Sequence, residues 1–196
     1  SAILSLERLF RMQGRFDEAL GHIEAFLDAD PRSPIGHQLA MRTLSSLERV
    51  DDLERAERRW IDATPDVETP YREAARVWES RGELDRALRV LRRGRSRLGG
   101  NTLAYEIGNI HALQGEPDRA IEEWSRAIGL DGDRFGLVQR RLATLPDGGA
   151  SITPGLVAQL RRPPATLPRL RAALSLSIGA GLEDQAMVLA QQVHVL

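Results

Sequence analysis

Histidine, cysteine and lysine most often carry catalysis or bind metals, and this sequence uses them sparingly. Its four histidines are His22, His37, His111 and His194, and no two of them have the spacing of a metal-ligand pair. It contains no cysteine, and all 27 basic residues are arginine, which excludes thiolate sites, Schiff-base lysines and phosphate-loop lysines. The patterns GxSxG, HExxH and GxxxxGK are also absent from the sequence. We therefore expect no enzymatic activity, no metal and no cofactor.

Arginine is the residue type that can contribute most to binding. Arg72 and Arg76 are four residues apart, which puts both guanidinium groups on the same face of a helix. Two guanidinium groups arranged in this way can bind a carboxylate through paired hydrogen bonds. The alternative is that both arginines pair with Glu73, Glu79 or an acidic neighbouring element, which would make them structural residues.

Charge is segregated along the chain. Residues 51–68 contain seven acidic residues and three arginines, whereas residues 86–97 contain six arginines and residues 161–171 contain four, with no acidic residue in either segment. The run at 86–97 has no interleaved aromatic residues, so it does not favour nucleic-acid binding. Two interpretations stay open: a solvated helix face that pairs with acidic neighbours, or an electrostatic docking patch for an acidic protein.

The composition is that of an ordinary globular protein. With 196 residues, 42% hydrophobic residues and a net charge of −1, the chain lacks the basic excess of a nucleic-acid or membrane-surface protein. No stretch approaches the roughly 18 apolar residues of a membrane span. The start SAILSLERLF has neither the basic segment nor the cleavage site of a signal peptide. We expect no membrane span and no nucleic-acid partner, while both a cytoplasmic and a periplasmic location stay open.

A short pattern recurs along the chain. The segments GRFDEA (14–19), GELDRA (82–87), GEPDRA (115–120) and GLEDQA (181–186) each run from glycine through acidic residues to alanine. DDLERA (51–56) fits with Asp51 in place of glycine, and a sixth segment is expected from Gly148 to Thr153. The alanines of the neighbouring matched segments lie 31, 33 or 37 residues apart. This spacing predicts an array of repeats of about 34 residues.

Hydrophobic residues in these repeats have helical spacing. In the first repeat, Phe16, Leu20, Ile23 and Leu27 are three or four residues apart, as on one face of an α-helix. Another apolar-periodic segment precedes each glycine, most clearly TLAYEIGNIHALQ (102–114). Because glycine readily adopts the left-handed conformation that ends many helices, each repeat is predicted to be two helices joined at the glycine.

The fourth repeat resembles a tetratricopeptide repeat (TPR). The signature places of that family are matched by Ala104, Ile107, Gly108, His111, Gly115, Ala120, Trp124 and Ala127. The resemblance implies an all-α fold, a TPR-type α-α superhelix of about six helix-turn-helix units and twelve helices without strands. It also implies that His111 is structural, since its place usually holds a core aromatic residue. The units are expected at about 1–33, 34–67, 68–100, 101–132, 133–165 and 166–196, in a single solenoid domain.

The fifth unit departs most from the family pattern and is expected to be degenerate. Arg141 stands at a place that normally holds a small residue, and Pro154 would interrupt a helix that ran through it. We therefore expect a long loop at about 145–153. Thr153 is predicted to be the N-cap of the next helix, with Pro154 at its first helical position.

Both ends of the sequence look cut. The sequence begins inside the first unit without Met, and it ends on an apolar second helix in which Val193, Val195 and Leu196 need a cover. Two explanations stay open. The chain is a fragment of a longer repeat protein, or its C-terminal helix forms a homo-oligomer contact.

The resemblance also implies a binding surface, because the first helices of TPR units line a concave groove. Carried over place by place, the groove residues are Arg8, Arg11, Ser45, Arg72, Arg76, Tyr105, Asn109 and Arg171. Asn109 could hydrogen-bond an extended peptide through either end of its amide. The set is similar to part of the carboxylate clamp by which some TPR proteins hold chaperone C-termini, but Leu4, Arg8 and Ser45 replace clamp residues.

Two functions stay open. The first is a non-catalytic protein–protein interaction scaffold, which binds a peptide or helix of a partner in its concave groove within a multiprotein assembly. The arginines of the groove would suit an acidic partner. The alternative is a structural self-assembly or spacer module of a larger envelope, secretion or enzyme protein.

Overall fold

The computed structural model describes residues 2–195, with only the backbone described at residue 195. This part of the chain forms twelve α-helices and no strand, as the sequence predicts. It divides into two compact units between Gly99 and Gly100. The helices of the first unit are α1 (Ala2–Met12), α2 (Phe16–Ala29), α3 (Pro34–Ser46), α4 (Val50–Ala63), α5 (Glu68–Ser80) and α6 (Leu84–Leu98). The helices of the second unit are α7 (Ala104–Leu113), α8 (Pro117–Ile128), α9 (Phe135–Ala143), α10 (Thr153–Leu160), α11 (Leu167–Gly179) and α12 (Glu183–Val195).

Most helices pack in the pairs that the repeat pattern predicts. In the first unit α1 packs on α2, α3 on α4 and α5 on α6, and in the second unit α7 packs on α8 and α11 on α12. Four of these pairs are joined through a glycine with positive φ, namely Gly14, Gly82, Gly115 and Gly181. In each case the second helix begins two residues after the glycine. The glycine therefore marks the turn, as expected from its conformational freedom.

The second pair turns three residues earlier than the sequence pattern predicts. Glu48, rather than Asp51, has the left-handed conformation, with a φ of 56°, and α4 begins two residues later at Val50. The turns of the first unit, at residues 14, 48 and 82, are therefore spaced by 34 residues. The irregular spacing of the sequence pattern in this region came from an incorrect alignment of the second repeat.

Burial confirms the new register of the second pair. Leu53 occupies the place held by Ala19 and Ala87 in the neighbouring pairs, and all three side chains are fully buried. Ala56, which the sequence pattern assigned to that place, is only half-buried. The DDLERA segment has the composition of the repeat motif, but its alanine lies three residues after the place that the motif alanine occupies. At that place, buried Leu53 replaces the usual alanine.

Small residues allow the close contact between α7 and α8. Ala120 is fully buried, and a Cβ atom at Gly108 would lie only 2.6 Å from Cδ1 of Trp124. Both residues are buried, and both stand at signature places of the TPR pattern. The missing side chain at Gly108 makes room for the indole ring, so this pair packs more closely than larger residues would permit.

The fifth repeat does not form a helix pair. Helix α10 packs on α8 and α11, while α9 contacts α7 and α8. Counted back from the turn glycine, the places of the buried Ile107 and Gly108 fall in α9 on Arg140 and Arg141. Because two adjacent arginines cannot be buried against a partner helix without compensation, α9 lacks the face that would pair with α10.

A loop separates α9 from α10, close to the predicted position. Asp147 accepts hydrogen bonds from the backbone of Ser151 and Gly149 at 2.8 and 2.9 Å. The Ser151 hydroxyl, together with these backbone bonds, lowers the pKa of the Asp147 carboxyl group. The prediction that Thr153 is an N-cap is wrong by one residue. Thr153 is the first helical residue and donates its hydroxyl to the carbonyl of Gly149 at 2.8 Å, so Pro154 is the second helical residue.

The last pair leaves apolar side chains in solvent. Ile178 of α11 is 66% exposed, and Met187 and Val188 of α12 are 65% and 43% exposed. Val193 is half-buried, whereas the predicted need to cover Leu196 and the side chain of Val195 lies outside the described residues. Within residues 2–195, no helix combines the length and the apolar character that a bilayer span needs.

Candidate functional site

Three arginines occupy equivalent positions on neighbouring helices of the first unit. Helices α1, α3 and α5 lie side by side, α3 against both of the others. With the turns at residues 14, 48 and 82, Arg8, Arg42 and Arg76 each lie six residues before a turn and 34 residues from the next arginine. All three side chains are exposed, Arg42 by 50% and Arg76 by 63%. We call these three residues the arginine row.

Arg42 is not among the groove residues predicted from the sequence. The incorrect register of the second repeat assigned its place to Ser45, three residues further along α3. The signal that would have found it is the distance between Arg8 and Arg76, which is twice the spacing of 34 residues. Ser45 is half-buried, and its backbone carbonyl accepts a hydrogen bond from Arg81 Nη1 at 3.0 Å, which ties the ends of α3 and α5 together.

The buried carboxylate of Glu7 pairs with one arginine of the row, Arg42. Glu7 is 2% exposed, and its Oε2 lies 2.7 Å from Nη2 of Arg42, while its Oε1 lies 3.4 Å from Nε of Arg11. The ion pair between Glu7 and Arg42 connects α1 to α3. Because Glu7 is almost completely buried, loss of Arg42 would leave a buried carboxylate with less compensating charge. Arg42 therefore stabilises the fold and also contributes positive charge to the row.

The other two predicted arginines of this unit pair along their own helix. Arg76 Nη1 donates to Glu73 Oε1 at 2.9 Å, and Arg72 lies 3.5 Å from the same carboxylate and 3.6 Å from that of Glu68. This matches the alternative in which both arginines pair with acidic neighbours. Both side chains nevertheless keep contact with solvent, with 28% and 63% of their surface exposed. The arginines of α1, α3 and α5 outnumber the carboxylates that pair with them, which belong to Glu7, Glu68 and Glu73. This set of residues therefore has a positive net charge.

The predicted residues of the second unit have different surroundings. Tyr105 is half-buried and packs against the hydrophobic core of that unit, whereas Arg171 is exposed on α11. Asn109 accepts a hydrogen bond at Oδ1 from Trp124 Nε1 at 3.1 Å. The oxygen thus holds the indole ring through one of its two acceptor sites, and the binding of a peptide by this amide stays a prediction. Arg76 and Asn109 belong to different units, so a row that joins them stays a prediction.

A cleft opens between the first helices α9 and α11 of the second unit. Its volume is about 440 Å³, and its walls include Leu142, Ser175 and Gly179. Ser175 and Gly179 occupy the repeat places of Asn109 and Leu113, counted from the turn glycines. This cleft is not predicted from the sequence, because it forms where α9 does not pair with α10.

The two buried histidines are structural. His111 is 3% exposed, and its Nδ1 lies 2.5 Å from Glu116 Oε2, a hydrogen bond that lowers the pKa of Glu116. His37 stacks on Trp60 and hydrogen-bonds the carbonyl of Pro31 at 2.9 Å, while burial lowers its pKa. Within residues 2–195, no group of three acidic or histidine side chains could hold a metal ion.

Part of the arginine run at 86–97 pairs with α4 and the residues that follow it. Arg86 pairs with Glu54, Arg93 Nη2 lies 3.4 Å from Asp62, and Arg97 Nε lies 2.8 Å from Asp66. Similar pairs join α4 to α2, where Arg59 contacts Glu24 and Asp28 at 2.7 and 3.2 Å. These contacts match the interpretation in which the run pairs with acidic neighbours. Exposed Arg89 and Arg92 complete this surface.

No protein-family model and no curated protein matches this sequence. Among solved structures, the chain is similar to PilF from Pseudomonas aeruginosa, with 12% sequence identity and a TM-score of 0.50 over 98% of this chain and 89% of that chain. It is also similar to TTC0263, a thermophilic TPR protein in Thermus thermophilus, with 22% identity and a TM-score of 0.44 over 100% of this chain and 98% of that chain.

A third similar structure is YrrB, described as a TPR protein with an unusual peptide-binding site. It is 14% identical, with a TM-score of 0.42, and the match covers 87% of this chain and 90% of that chain. The structural neighbours are thus TPR proteins over nearly the full chain. The protein has the all-helical TPR-type fold that the sequence predicts, with helices packed mainly in pairs.

Proposed function

We propose that this protein is a non-catalytic scaffold that binds an acidic peptide or helix of a partner protein through the first helices of its repeats. Proteins with the TPR fold generally act as protein–protein interaction scaffolds, and their extended concave surfaces are suited to this role. We also propose that residues 1–196 form one solenoid domain. The predicted groove residues, with Arg42 added, are proposed to contact the partner.

The arginine row is the observation that carries this proposal. Arg8, Arg42 and Arg76 repeat with the period of the helix pairs, so they form a line across three adjacent helices. A line of guanidinium groups suits a segment with several carboxylates, because each arginine can make paired hydrogen bonds to one carboxylate. Arg11 and Arg72 add positive charge on the same helices.

Affinity capture with two double variants tests the proposed surface. Arg8→Ala with Arg76→Ala shortens the row at both ends and leaves in place Arg42, the close partner of buried Glu7. Arg89→Ala with Arg92→Ala removes the same charge from exposed positions on α6. We expect the wild type and the α6 variant to capture the same partner from the source cell. The row variant should bind this partner at least about 10-fold more weakly, because truncation removes charged hydrogen bonds.

Circular dichroism of both variants provides the folding control. If the row variant folds normally and captures the same proteins as the wild type, the first helices do not bind the partner. If the α6 variant alone loses the partner, the docking surface lies on the second helices, and the arginine run at 86–97 is functional.

Self-assembly is the second candidate function. It is favoured by the exposed side chains of Ile178, Met187 and Val188 on the last helix pair. Sedimentation of the wild type and of Met187→Gln tests it. A dimer that the substitution dissociates supports self-assembly through α12, whereas a monomer at all concentrations contradicts it.

A further inference from the structure

Another concave surface lies between α10 and α12, which are the second helices of the fifth and sixth repeats. It is a hollow of about 830 Å³, and the loop between α10 and α11 closes one side of it. Ala158, Pro163, Ala165 and Leu170 form its apolar lining. The hollow is large enough for one or two side chains of a bound peptide.

Two arginines that follow α10 bring positive charge to one side of this hollow. Arg161 and Arg162 line it and are exposed, and neither forms an ion pair with any residue from 2 to 195. The sequence from residue 148 to residue 182 contains no aspartate or glutamate. An apolar surface beside two guanidinium groups without carboxylate partners favours a ligand that is apolar and negatively charged.

A third arginine, Arg169, precedes the lining residue Leu170 and is hydrogen-bonded to the end of α10. Arg169 Nη2 donates to the carbonyl of Gln159 at 3.0 Å and to Ser125 Oγ at 3.1 Å, and its Nε donates to the carbonyl of Leu160 at 3.2 Å. The two carbonyls lie at the C-terminal end of α10 and Ser125 lies on α8, and these neutral oxygens hold the guanidinium group but do not neutralise it. Burial lowers its pKa, which is consistent with a cation held without an anionic partner.

We propose that this hollow docks an acidic segment of a partner protein, with an apolar side chain between α10 and α12 and neighbouring carboxylates on Arg161 and Arg162. Gln191 and Gln192 line the hollow on α12, where their amides can hydrogen-bond the peptide backbone. The residues that line the hollow include no aromatic ring for base stacking, which favours a peptide over a nucleic acid. The site is separate from the arginine row on the first helices.

Fluorescence anisotropy with a labelled peptide of alternating leucine and aspartate tests this site. We expect the wild type to bind this probe and the variant Arg161→Glu with Arg162→Glu to bind it at least about 10-fold more weakly, because like charges now face each other. The matched control, Arg89→Glu with Arg92→Glu, changes the charge equally on α6 and should bind the probe as the wild type does. A probe with serine in place of leucine should lose affinity, since the apolar hollow would stay unfilled.

Three results would overturn the proposal. The first is equal weakening by both double variants, which would show attraction to net charge alone. The second is no binding of the leucine–aspartate probe to the wild type, or tighter binding of a single-stranded oligonucleotide. The third is a homodimer in sedimentation that Arg161→Glu with Arg162→Glu dissociates and the probe does not displace, which would assign the hollow to a second copy of the chain.

Discussion

The second and the fifth repeats are opposite cases of the same motif. The second repeat has Glu48 where the others have glycine, yet α3 and α4 pack as a pair. The fifth repeat has Gly148 and Gly149, both with positive φ, yet α10 packs on α8 and α11 instead of on α9. The turn glycine is therefore neither necessary nor sufficient for a helix pair in this chain.

The core places of the first helix explain the difference. In α3 these places hold His37, Ala40, Met41 and Leu44, and each is at most 3% exposed. The equivalent places in α9 are Leu137, Arg140, Arg141 and Thr144. A residue with the wrong turn conformation costs about 1–2 kcal/mol, whereas each large apolar side chain that is buried stabilises by about 1.5–3 kcal/mol. Burial at the core places therefore decides whether a pair forms.

A charge at a core place of the second repeat should break its pair. Ala40 is 2% exposed, and Ala40→Arg would bury a guanidinium group without a partner. We expect a loss of at least about 3 kcal/mol in the free energy of unfolding, the size typical of an uncompensated buried charge. Urea denaturation followed by circular dichroism measures this loss.

The matched control is Gln38→Arg, which adds the same side chain at an exposed position of α3. It should change the free energy of unfolding by no more than about 0.5 kcal/mol. Equal effects of the two substitutions would show that helix propensity, rather than the core place, controls the pair.

The sequence predicts most of the fold because the hydrophobic period and the glycine turns are local signals. The four turn glycines follow directly from the repeat pattern, and so do the signature places of Gly108 and Ala120, which are buried between α7 and α8. The register of the second repeat was wrong because Asp51 and Ala56 imitate the motif three residues from its true position. Local composition cannot distinguish these alternatives, whereas burial of Leu53 does.

The candidate sites were harder to predict than the fold. Arg42 was missed through the register error, and the cleft beside Leu142 depends on which helix α10 selects as its neighbour. The hollow beside Arg161 also requires two second helices that are distant in sequence to lie together. Such surfaces result from packing between repeats, so a motif within one repeat does not encode them.

A bulky side chain in the regular fourth pair should have an intermediate effect. Ala120 is fully buried between α7 and α8, so Ala120→Leu should overpack the contact and cost about 1–3 kcal/mol. Ala186 has the same repeat place in α12 but is only half-buried, and Ala186→Leu should cost less. A melting temperature unchanged by Ala120→Leu would mean that the contact between α7 and α8 widens without cost, so that burial at this place does not control the fourth pair.

The smallest effects are expected at the turns. Gly82 has a φ of 75°, and a Cβ atom there would meet no atom within 4 Å, so Gly82→Ala changes only the conformational preference. It should cost about 1–2 kcal/mol. Glu48 has a φ of 56° at the equivalent turn, so Glu48→Gly relieves the same penalty and should stabilise by up to about 1 kcal/mol, reduced by the greater freedom of glycine in the unfolded chain.

These two substitutions separate the effect of the turn conformation on stability from the effect of burial at the core places. Because neither changes a buried side chain, their opposite shifts in the urea midpoint report only the left-handed conformation. If Glu48→Gly instead destabilised the protein as strongly as Ala40→Arg, the carboxylate of Glu48 would be essential to the second pair. The turn residue would then rank with the core places, and the fifth repeat would need a different explanation.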